Sequence, residues 1–340
     1  MSKSLKKCFN DKLTFEKLLE AHNRASIGKK QRKEVILFEM DLETNLIKML
    51  KEIRNNNYKF GKYREFIIYE PKERLIKSLP YKDRIVHQWY IEEFIKPFFA
   101  SRFIKDTYAC IENRGTHKAV SKTQKYMRKM KRKNENYYVL KCDIKKYFYN
   151  IDKKILLKIL EKNIKDKKII EFTKIILGNI NEIGIPIGNY TSQFFANIYL
   201  NEFDHYVKEK LKIKYYIRYM DDFILLLNSK EEAIILKEKI NEYLRKKLKL
   251  ELNKKSTYFI NYQGIDFCGY RIFETHILLR KRFKKKMKKN ICLWNKLKKE
   301  NKLNYKKMLL SLNSFEAHAS HSNSYNYILK IKEKIKESNK

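Results

Sequence analysis

Hydrophobic and polar residues follow two different periods along the chain, and these periods predict its helices and strands. Up to about residue 60 the apolar residues recur with helical spacing, so we expect helices there. Residues 63–80, YREFIIYEPKERLIKSLP, predict two short strands joined at Glu70–Glu73 by a turn that holds Pro71. The following stretch, YKDRIVHQWYIEEFIKPFF, returns to helical spacing, and this helix is expected to stop near Pro97.

A second region begins at Tyr137, where YYVLKCD predicts a strand and IDKKILLKILEKNI places its apolar residues on one helix face. The predicted elements that follow are a turn and helix in 184–207, a hairpin over Tyr215–Leu227, a helix over 230–250, a pair of short strands in 258–273 and helices over 276–340. This order predicts an α+β fold with a small antiparallel sheet and helices on one face.

The net charge adds an expectation about partners. The 340 residues include 78 Lys and Arg against 39 Asp and Glu, a formal charge of +39, and 43% of residues are hydrophobic. The length favours two or three lobes with a buried core. Such an excess of positive charge indicates a polyanionic partner, with nucleic acid first and an anionic membrane surface second. A biased base composition, which inflates lysine, is the alternative explanation.

The cysteines and the apolar runs exclude several classes of protein. None of the five cysteines forms a CxxC pair, which argues against a zinc site or a disulfide framework and fits a reducing compartment; they are Cys8, Cys110, Cys142, Cys268 and Cys292. The N-terminal residues lack a signal-peptide core, and the chain has no run of about 18 apolar residues. We therefore expect a cytoplasmic protein that does not contact a membrane.

Three carboxylates stand where predicted strands end. Asp143 ends the run YYVLKC, a predicted central strand, and Asp221 and Asp222 lie at the tip of the predicted hairpin. Neighbouring strand ends of an antiparallel sheet can bring these groups to one edge, where their mutual repulsion requires a cation. Mg²⁺ prefers such oxygen ligands. The alternative is that two adjacent aspartates simply make a solvated turn.

The residues around these carboxylates resemble a known family. YMDD at 219–222 and DIKKYFYNI at 143–151 resemble the polymerase signatures of reverse transcriptases. Further segments are similar to other blocks of that family in the same order: PKERLIKSLPYKDRIVH at 71–87, FIKDTYACIENRGTHKAV at 103–120, GIPIGNYTSQFFANIYLNEFD at 184–204 and FCGY at 267–270. The resemblance covers about residues 60–280. It implies a right-hand polymerase with N-terminal helices and fingers over 1–136, a palm over 137–275 with finger-derived elements packed on it, and a short helical thumb over 276–340.

The resemblance also implies roles for individual residues. Asp143, Asp221 and Asp222 would be catalytic and, with the backbone carbonyl of Ile144, would hold two Mg²⁺ ions, for which Mn²⁺ is a substitute. The nucleotide-binding candidates are Lys72, Arg74, Phe148, Ile187, Gly188 and Gln193. Phe148 matches a steric gate that favours deoxynucleotides. The expected primer grip is Phe267, Cys268, Gly269 and Tyr270. The expected nucleic-acid contacts are Arg114, Gly115, Arg280, Lys281, Arg282, Lys284, Lys285 and Lys288.

The block IPIGNYTSQ is typical of one branch of the family. Ile187 precedes Gly188 where many relatives carry glutamine, a pattern that resembles the enzymes of diversity-generating retroelements. An aliphatic side chain cannot hydrogen-bond the nucleotide sugar, so we expect copying with errors; ordinary packing of Ile187 is the alternative. The implied partners are template RNA, nascent cDNA, dNTPs, and a small basic accessory oligomer or a dedicated noncoding RNA. A defence-associated or retron-type enzyme and a catalytically silent RNA-binding scaffold are the alternative functions.

Two basic segments extend the expected nucleic-acid surface. In 280–294 the residues Phe283, Met287, Ile291 and Trp294 recur at helical spacing, so one face is expected to pack while the basic face meets a phosphate backbone. The run SKTQKYMRKMKRK at 121–133 is expected to flank the template or to dock a helper protein. His318 and His321 have no acidic or cysteine neighbour at ligand spacing, so we expect packing or capping from them.

Overall fold

The computed structural model describes residues 8–69 and 73–337. The helices, in chain order, are α1 Phe15–Ser26, α2 Lys33–Met40, α3 Leu42–Arg54, α4 Tyr81–Tyr90, α5 Lys96–Phe99, α6 Thr116–Lys131, α7 Tyr147–Asn150, α8 Lys153–Asn163, α9 Lys167–Leu177, α10 Tyr190–His205, α11 Lys230–Leu248, α12 Lys281–Lys299, α13 Tyr305–Ala319 and α14 Tyr325–Glu337. The strands are β1 Arg64–Ile68, β2 Arg74–Ser78, β3 Tyr138–Asp143, β4 Tyr216–Tyr219, β5 Asp222–Leu227, β6 Thr257–Ile260, β7 Ile265–Phe267, β8 Tyr270–Ile272 and β9 Ile277–Leu279.

The chain forms two compact units, each built from separate stretches of sequence. The first unit contains the chain through Lys105, Ile144–Ile213 and Lys239–Lys254. The second contains Asp106–Asp143, Lys214–Glu238 and the chain from Lys255 onward. The finer division into 1–136, 137–275 and 276–340 stays a prediction.

The first unit combines helices with one β-hairpin. Thr14 accepts a hydrogen bond from the backbone N–H of Lys17 at 3.2 Å and so begins α1, whose buried face packs on α4. Strands β1 and β2 pair antiparallel from Arg64↔Ser78 to Ile68↔Arg74, which confirms the predicted hairpin. The predicted turn around Pro71 lies outside the described residues.

The helix that was predicted to stop near Pro97 ends two residues beyond it, at Phe99 of α5. A π-helical turn over Ile91–Ile95 joins α4 to α5, and the N–H of Lys96 bonds to the carbonyl of Ile91. Pro97 therefore stands in the first turn of α5, where its missing N–H leaves no hydrogen bond unmade. Burial of Phe98 and Phe99 stabilises the helical conformation here.

The second unit contains the predicted antiparallel sheet. Its strand order is β4-β5-β3-β6, so β3 and β5 are the inner strands. Helix α6 buries Ala119, Val120 and Met127 in one hydrophobic cluster with Val139 of β3 and Ile224 of β5. The predicted strand over 137–143, the hairpin over 215–227 and the α+β class are confirmed.

Residues 258–279 differ from the prediction of one pair of strands followed by helices. Strand β6 joins the main sheet, while β7, β8 and β9 form a separate three-stranded antiparallel sheet. Cys268 and Gly269 both have positive φ, 48° and 92°, and they make the two-residue turn between β7 and β8. Strand β9 is too short for its periodicity to separate strand from helix, which explains the error.

The remaining C-terminal residues through Glu337 form α12, α13 and α14, in agreement with the predicted helices. Met287 and Ile291 of α12 are buried, and Phe283 and Trp294 pack partly buried against the same cluster, as expected. Within 8–69 and 73–337, none of the helices combines the length and the apolar character that a bilayer crossing requires.

Candidate active site

Two of the three candidate carboxylates face each other across neighbouring strands. Asp143, the last residue of β3, is the register partner of Asp222, the first residue of β5. Asp221 lies in the two-residue turn between β4 and β5. A shift of this register by one residue would separate the two aspartates and send every side chain of the shifted strand to the opposite face.

The hairpin turn that carries Asp221 has a strained backbone. Met220 has a φ of 58°, a left-handed conformation that side chains other than glycine adopt at a cost of about 1–3 kcal/mol. The guanidinium of Arg218 donates from Nη1 to the carbonyl of Met220 at 2.8 Å. Arg218 is completely buried. A buried cation therefore holds the turn next to Asp221.

The surroundings of Asp222 disfavour the ionised form of its carboxylate. Burial raises the pKa of Asp222 above its ordinary value, and Asp143 raises it further, while Lys141 and Arg280 lower it. The Lys141 ammonium lies 3.0 Å from Oδ1 of Asp222. The Asp222 side chain keeps 27% of its surface exposed, so the charge remains within reach of a solvated cation. Because the pKa is raised overall, the neighbouring cations compensate the negative charge of this carboxylate only in part.

Ser256 fixes the backbone of Asp143. Its buried hydroxyl accepts a hydrogen bond from the N–H of Asp143 at 3.1 Å and lies 3.3 Å from the carbonyl oxygen of the same residue. The last residue of β3, which pairs with Asp222 on the β5 side, is thereby held by a side chain on the β6 side, where the strand pairing ends at Lys141↔Thr257.

The residues present are of the type that holds Mg²⁺, although the carboxylates are not gathered into one group. Among residues 8–69 and 73–337 there is no set of three His, Cys, Asp or Glu side chains placed to hold a metal ion. The expected convergence of all three aspartates is therefore not observed. Mg²⁺ is usually bound by one or two carboxylates and keeps several waters, which the facing pair of Asp143 and Asp222 can satisfy. Ile144 is buried, and its carbonyl ligand role stays a prediction.

The predicted primer-grip residues form the β7–β8 hairpin. Tyr270 is buried, and its hydroxyl donates to the carbonyl of His318 at 2.8 Å, with the two rings stacked at 4.5 Å. A Cβ on Gly269 would lie 3.2 Å from the His318 ring. Burial and the charge of Asp222 raise the pKa of the Cys268 thiol. His318 thus packs on this turn, as the absence of ligand-spaced neighbours predicted.

The candidate nucleotide-binding residues lie in the first unit, at the contact between the β-hairpin and the turn before α10. The N–H of Lys77 donates to the carbonyl of Ile187 at 2.9 Å. Gly188 has a φ of 120°, and its backbone approaches β2 closely. The carbonyl of Phe148 accepts from the N–H of Ile185 at 2.8 Å. Gln193 and Arg74 are exposed, and Lys72 lies outside the described residues.

The candidate nucleic-acid contacts have different surroundings. The guanidinium of Arg114 donates to the carbonyl of Thr107 at 2.6 Å, and Gly115 caps α6 with a φ of 119°. Arg280 pairs with Asp266 at 3.6 Å, and the Lys284 ammonium lies 5.1 Å from the centre of the Tyr327 ring. The remaining candidates point to solvent along α12: Lys281, Arg282, Lys285 and Lys288.

Sequence reasoning missed Lys141 and Arg218. Lys141 stands two residues before Asp143 in a strand, which places both on the same face, so period-two spacing carried a signal. Arg218 interrupts the apolar run YYIRYM, and a charged residue in such a run indicates a specific buried partner.

Comparison with known proteins gives one family. A family model described as reverse transcriptase (RNA-dependent DNA polymerase) matches residues 62–272. Protein YkfC of Escherichia coli (strain K12) is 26% identical over 233 residues, which cover 56% of this chain and 61% of that protein.

Two solved structures are also similar. Apo telomerase from Candida Tropicalis, truncated from its C-terminal domain, has a TM-score of 0.47 and 14% identity, with 65% of this chain and 55% of that chain covered. Telomerase from Candida albicans in complex with a TWJ fragment of telomeric RNA has a TM-score of 0.49 and 13% identity, with 77% and 54% covered. The chain thus spans between about half and three fifths of the length of the relatives named here.

Proposed function

The chain belongs to the reverse transcriptase family, whose model matches more than half of it, and from this premise we propose that it is an RNA-directed DNA polymerase. It would extend a primer 3′-hydroxyl with deoxynucleoside triphosphates on an RNA template. Family membership also confirms the predicted right-hand polymerase fold class. The observation that carries the proposal is the register pair Asp143↔Asp222 beside the turn that holds Asp221.

Asp143, Asp221 and Asp222 would hold Mg²⁺, with Mn²⁺ as a substitute. Ions held there would supply activation of the attacking hydroxyl and stabilisation of the leaving pyrophosphate. The protein supplies the positions of the ligands: Ser256 fixes the backbone of Asp143, and Arg218 fixes the turn before Asp221. The raised pKa of Asp222 supports this assignment, because a partly compensated carboxylate gains from a cation.

The test is primer extension on a defined RNA template with dNTPs and Mg²⁺. We expect Asp221→Ala and Asp143→Asn to remove incorporation, while Glu238→Gln, which changes an exposed carboxylate on α11 of the same unit, retains it. Wild-type incorporation by Asp221→Ala would refute the assignment. RNA binding without any incorporation by the unaltered protein would instead favour the catalytically silent scaffold.

We further propose that the enzyme is of the diversity-generating type. Ile187 supports this, because its side chain offers no hydrogen bond where many relatives carry an amide. Its backbone is held by Lys77, so substitution of the side chain should leave the turn in place. Ile187→Gln is expected to lower misincorporation opposite template adenines, whereas Ile185→Val, a buried neighbour, should leave it unchanged. An unaltered error spectrum in Ile187→Gln would contradict this role.

The genomic neighbourhood separates the alternatives. A variable-protein gene with a near-repeat supports diversification, and a toxin gene or a dedicated noncoding RNA supports a defence-associated role. None of the relatives named above has a name that refers to a retron, and the retron alternative is not favoured. Template RNA, nascent cDNA and dNTPs are the proposed partners, and the basic accessory oligomer belongs to the diversification proposal.

A further inference from the structure

Helix α6 carries a basic surface that the proposed polymerase reaction does not use. Between Thr116 and Asn134 the sequence has eight Lys or Arg residues and no Asp or Glu. The opposite side of the helix, which includes Val120, Met127 and Met130, is buried in the hydrophobic cluster of the second unit. The basic side chains are therefore displayed by a fixed helix, so their spacing is preset.

Four exposed basic residues of α6 and its C-cap lie on one helix face together with Ser121. Ser121, Lys125, Arg128, Lys129 and Arg132 follow the i, i+4, i+7, i+8, i+11 spacing that lines one face of a helix, and all five are exposed. We call these residues the α6 stripe. From Ser121 to Arg132 the helix rises about 16 Å. Arg128 donates to the carbonyl of Glu274 at 2.6 Å, which fixes the middle of the stripe without neutralising it.

Three basic side chains of the α6 stripe are not neutralised by acidic neighbours among the described residues. The side chains of Lys125, Lys129 and Arg132 make no hydrogen bond or ion pair within the part of the chain that the structure describes, whereas Lys122 pairs with Asp106 at 3.8 Å. Uncompensated cations at fixed spacing repel each other unless an anion lies across them. A basic helper protein would add to the repulsion, so the alternative of helper docking raised by the sequence is disfavoured.

The stripe runs away from the aspartate pair. Asp222 begins β5 and Asn228 follows its far end, and Asn134, just beyond α6, donates to the carbonyl of Asn228 at 2.9 Å. The C-terminal end of the stripe therefore lies at the end of the sheet opposite Asp143. A nucleic acid at that end of the stripe lies the length of the six-residue strand β3, about 20 Å, from the aspartate pair.

The chemistry of the stripe favours a duplex. Single-strand binding uses exposed aromatic rings on which bases stack, and the stripe has none. Tyr126, the aromatic residue of α6, donates to both carboxylate oxygens of Asp106, at 2.9 and 3.0 Å. Phosphate contacts alone suit recognition of double-stranded RNA by its shape and backbone.

We propose that the α6 stripe binds a double-stranded RNA stem outside the primer–template. This inference rests on the proposed function in one respect, that the substrate is RNA able to carry stems. It assigns to α6 the task of holding structured RNA while another segment is copied.

The test is equilibrium binding of a labelled blunt RNA duplex of about 16 base pairs in EDTA, where no incorporation occurs. The variant Lys125→Gln/Lys129→Gln/Arg132→Gln is expected to bind this duplex about tenfold to 100-fold more weakly near 0.1 M salt. The slope of log K against log salt should fall by about 2–3, since each lost phosphate contact removes about 0.9.

The matched control removes the same charge from α8 and α9. Lys154, Lys158 and Lys167 are exposed, and Glu161 and Glu171 are exposed on the same two helices. Their triple change to Gln should leave duplex affinity within about twofold. All substituted side chains are exposed, so unchanged melting temperatures are expected in both variants.

Several results would overturn the proposal. Equal losses in the two triple variants would mean that affinity reflects net charge alone. Unchanged duplex binding in the α6 variant would mean that the stripe does not bind the duplex. Equal weakening of single-stranded RNA binding, or a loss of binding to anionic vesicles without a loss of duplex binding, would mean that its ligand is not a double-stranded RNA. Primer extension on a short stem-free template should be the same in both variants, so a failure of the proposed polymerase function is detected separately.

Discussion

Gly188→Ala is a small chemical change for which the structure predicts a measurable loss of stability and of nucleotide affinity. A Cβ at Gly188 would lie 3.0 Å from Cγ2 of Ile76 and 3.1 Å from the carbonyl oxygen of Lys77, and the residue has a φ of 120°. Gly178 provides the matched control, because it also has a positive φ, 64°, but a Cβ there meets nothing within 4 Å.

The two substitutions differ in magnitude for a stated reason. Gly178→Ala costs about 1–3 kcal/mol for a backbone with φ 64° and ψ −141°, offset in part by the reduced entropy of the unfolded chain, about 0.4–1 kcal/mol. Gly188→Ala adds the displacement of β2 from the Cβ, which strains the hydrogen bond between Lys77 and Ile187, worth about 0.5–1.5 kcal/mol. We expect Gly188→Ala to lower the free energy of unfolding by about 1–4 kcal/mol, which is about 0.5–1.5 kcal/mol more than Gly178→Ala.

Urea denaturation of both variants measures the stability difference, and steady-state primer extension measures its functional consequence. Because Arg74 begins the strand that Gly188 touches, a shifted β2 should raise the KM for dNTP about tenfold, equivalent to about 1.4 kcal/mol, while Gly178→Ala leaves it unchanged. Equal losses of stability in the two variants, with the same KM, would refute the close-approach argument.

Three further substitutions have equally direct outcomes. Burial lowers the pKa of His87 from 6.5 to about 3, so the unfolded chain takes up a proton at a higher pH than the folded chain does. The free energy of unfolding therefore falls as pH drops below 6.5, by about 2 kcal/mol at pH 5. In His87→Gln, urea denaturation at pH 7 and at pH 5 should show a smaller difference in this free energy. Arg218→Lys should lower kcat about 10–100-fold, because it displaces the turn that carries Asp221. Arg102→Gln also removes a hydrogen bond from an arginine to a carbonyl and should leave kcat unchanged. An unchanged kcat in Arg218→Lys would make that residue purely structural. Phe148→Val should raise incorporation of ribonucleotides relative to deoxynucleotides, and Tyr149→Val should not; a single-nucleotide competition assay reads both.

The parts of the fold that could be predicted are those that local periodicity determines. The runs over 137–143 and 215–227 are apolar enough to be strands, and both are strands in the structure. Once both strands were predicted, the placement of Asp143 and Asp222 at strand ends followed, and the register that pairs them is observed. The helical character of residues 281–299 was likewise predictable from Phe283 and the apolar residues that follow at helical spacing.

Long-range contacts decided the elements that the sequence did not predict. The π-helical turn over Ile91–Ile95, which precedes Pro97, was not predicted. Strand β9 exists because β8 offers an edge to pair with, which three residues of sequence cannot reveal. Ser256 and Arg218 support the aspartates through bonds that depend on sheet register, and register is a property of the folded chain.

Several features of the hairpin from Arg218 to Asp222 are unfavourable for local stability. Met220 adopts a left-handed backbone, Arg218 is a fully buried cation, and the pKa of Asp222 is raised by burial and by Asp143. The flanking residues of β4 and β5 obey the ordinary rules of a buried antiparallel pair. Conflicts with local rules that cluster in a few residues of an otherwise consistent structure are expected where function maintains them. A divalent cation beside Asp222 would relieve one of these costs directly, and the turn geometry held by Arg218 would then serve to place Asp221 at the same cation.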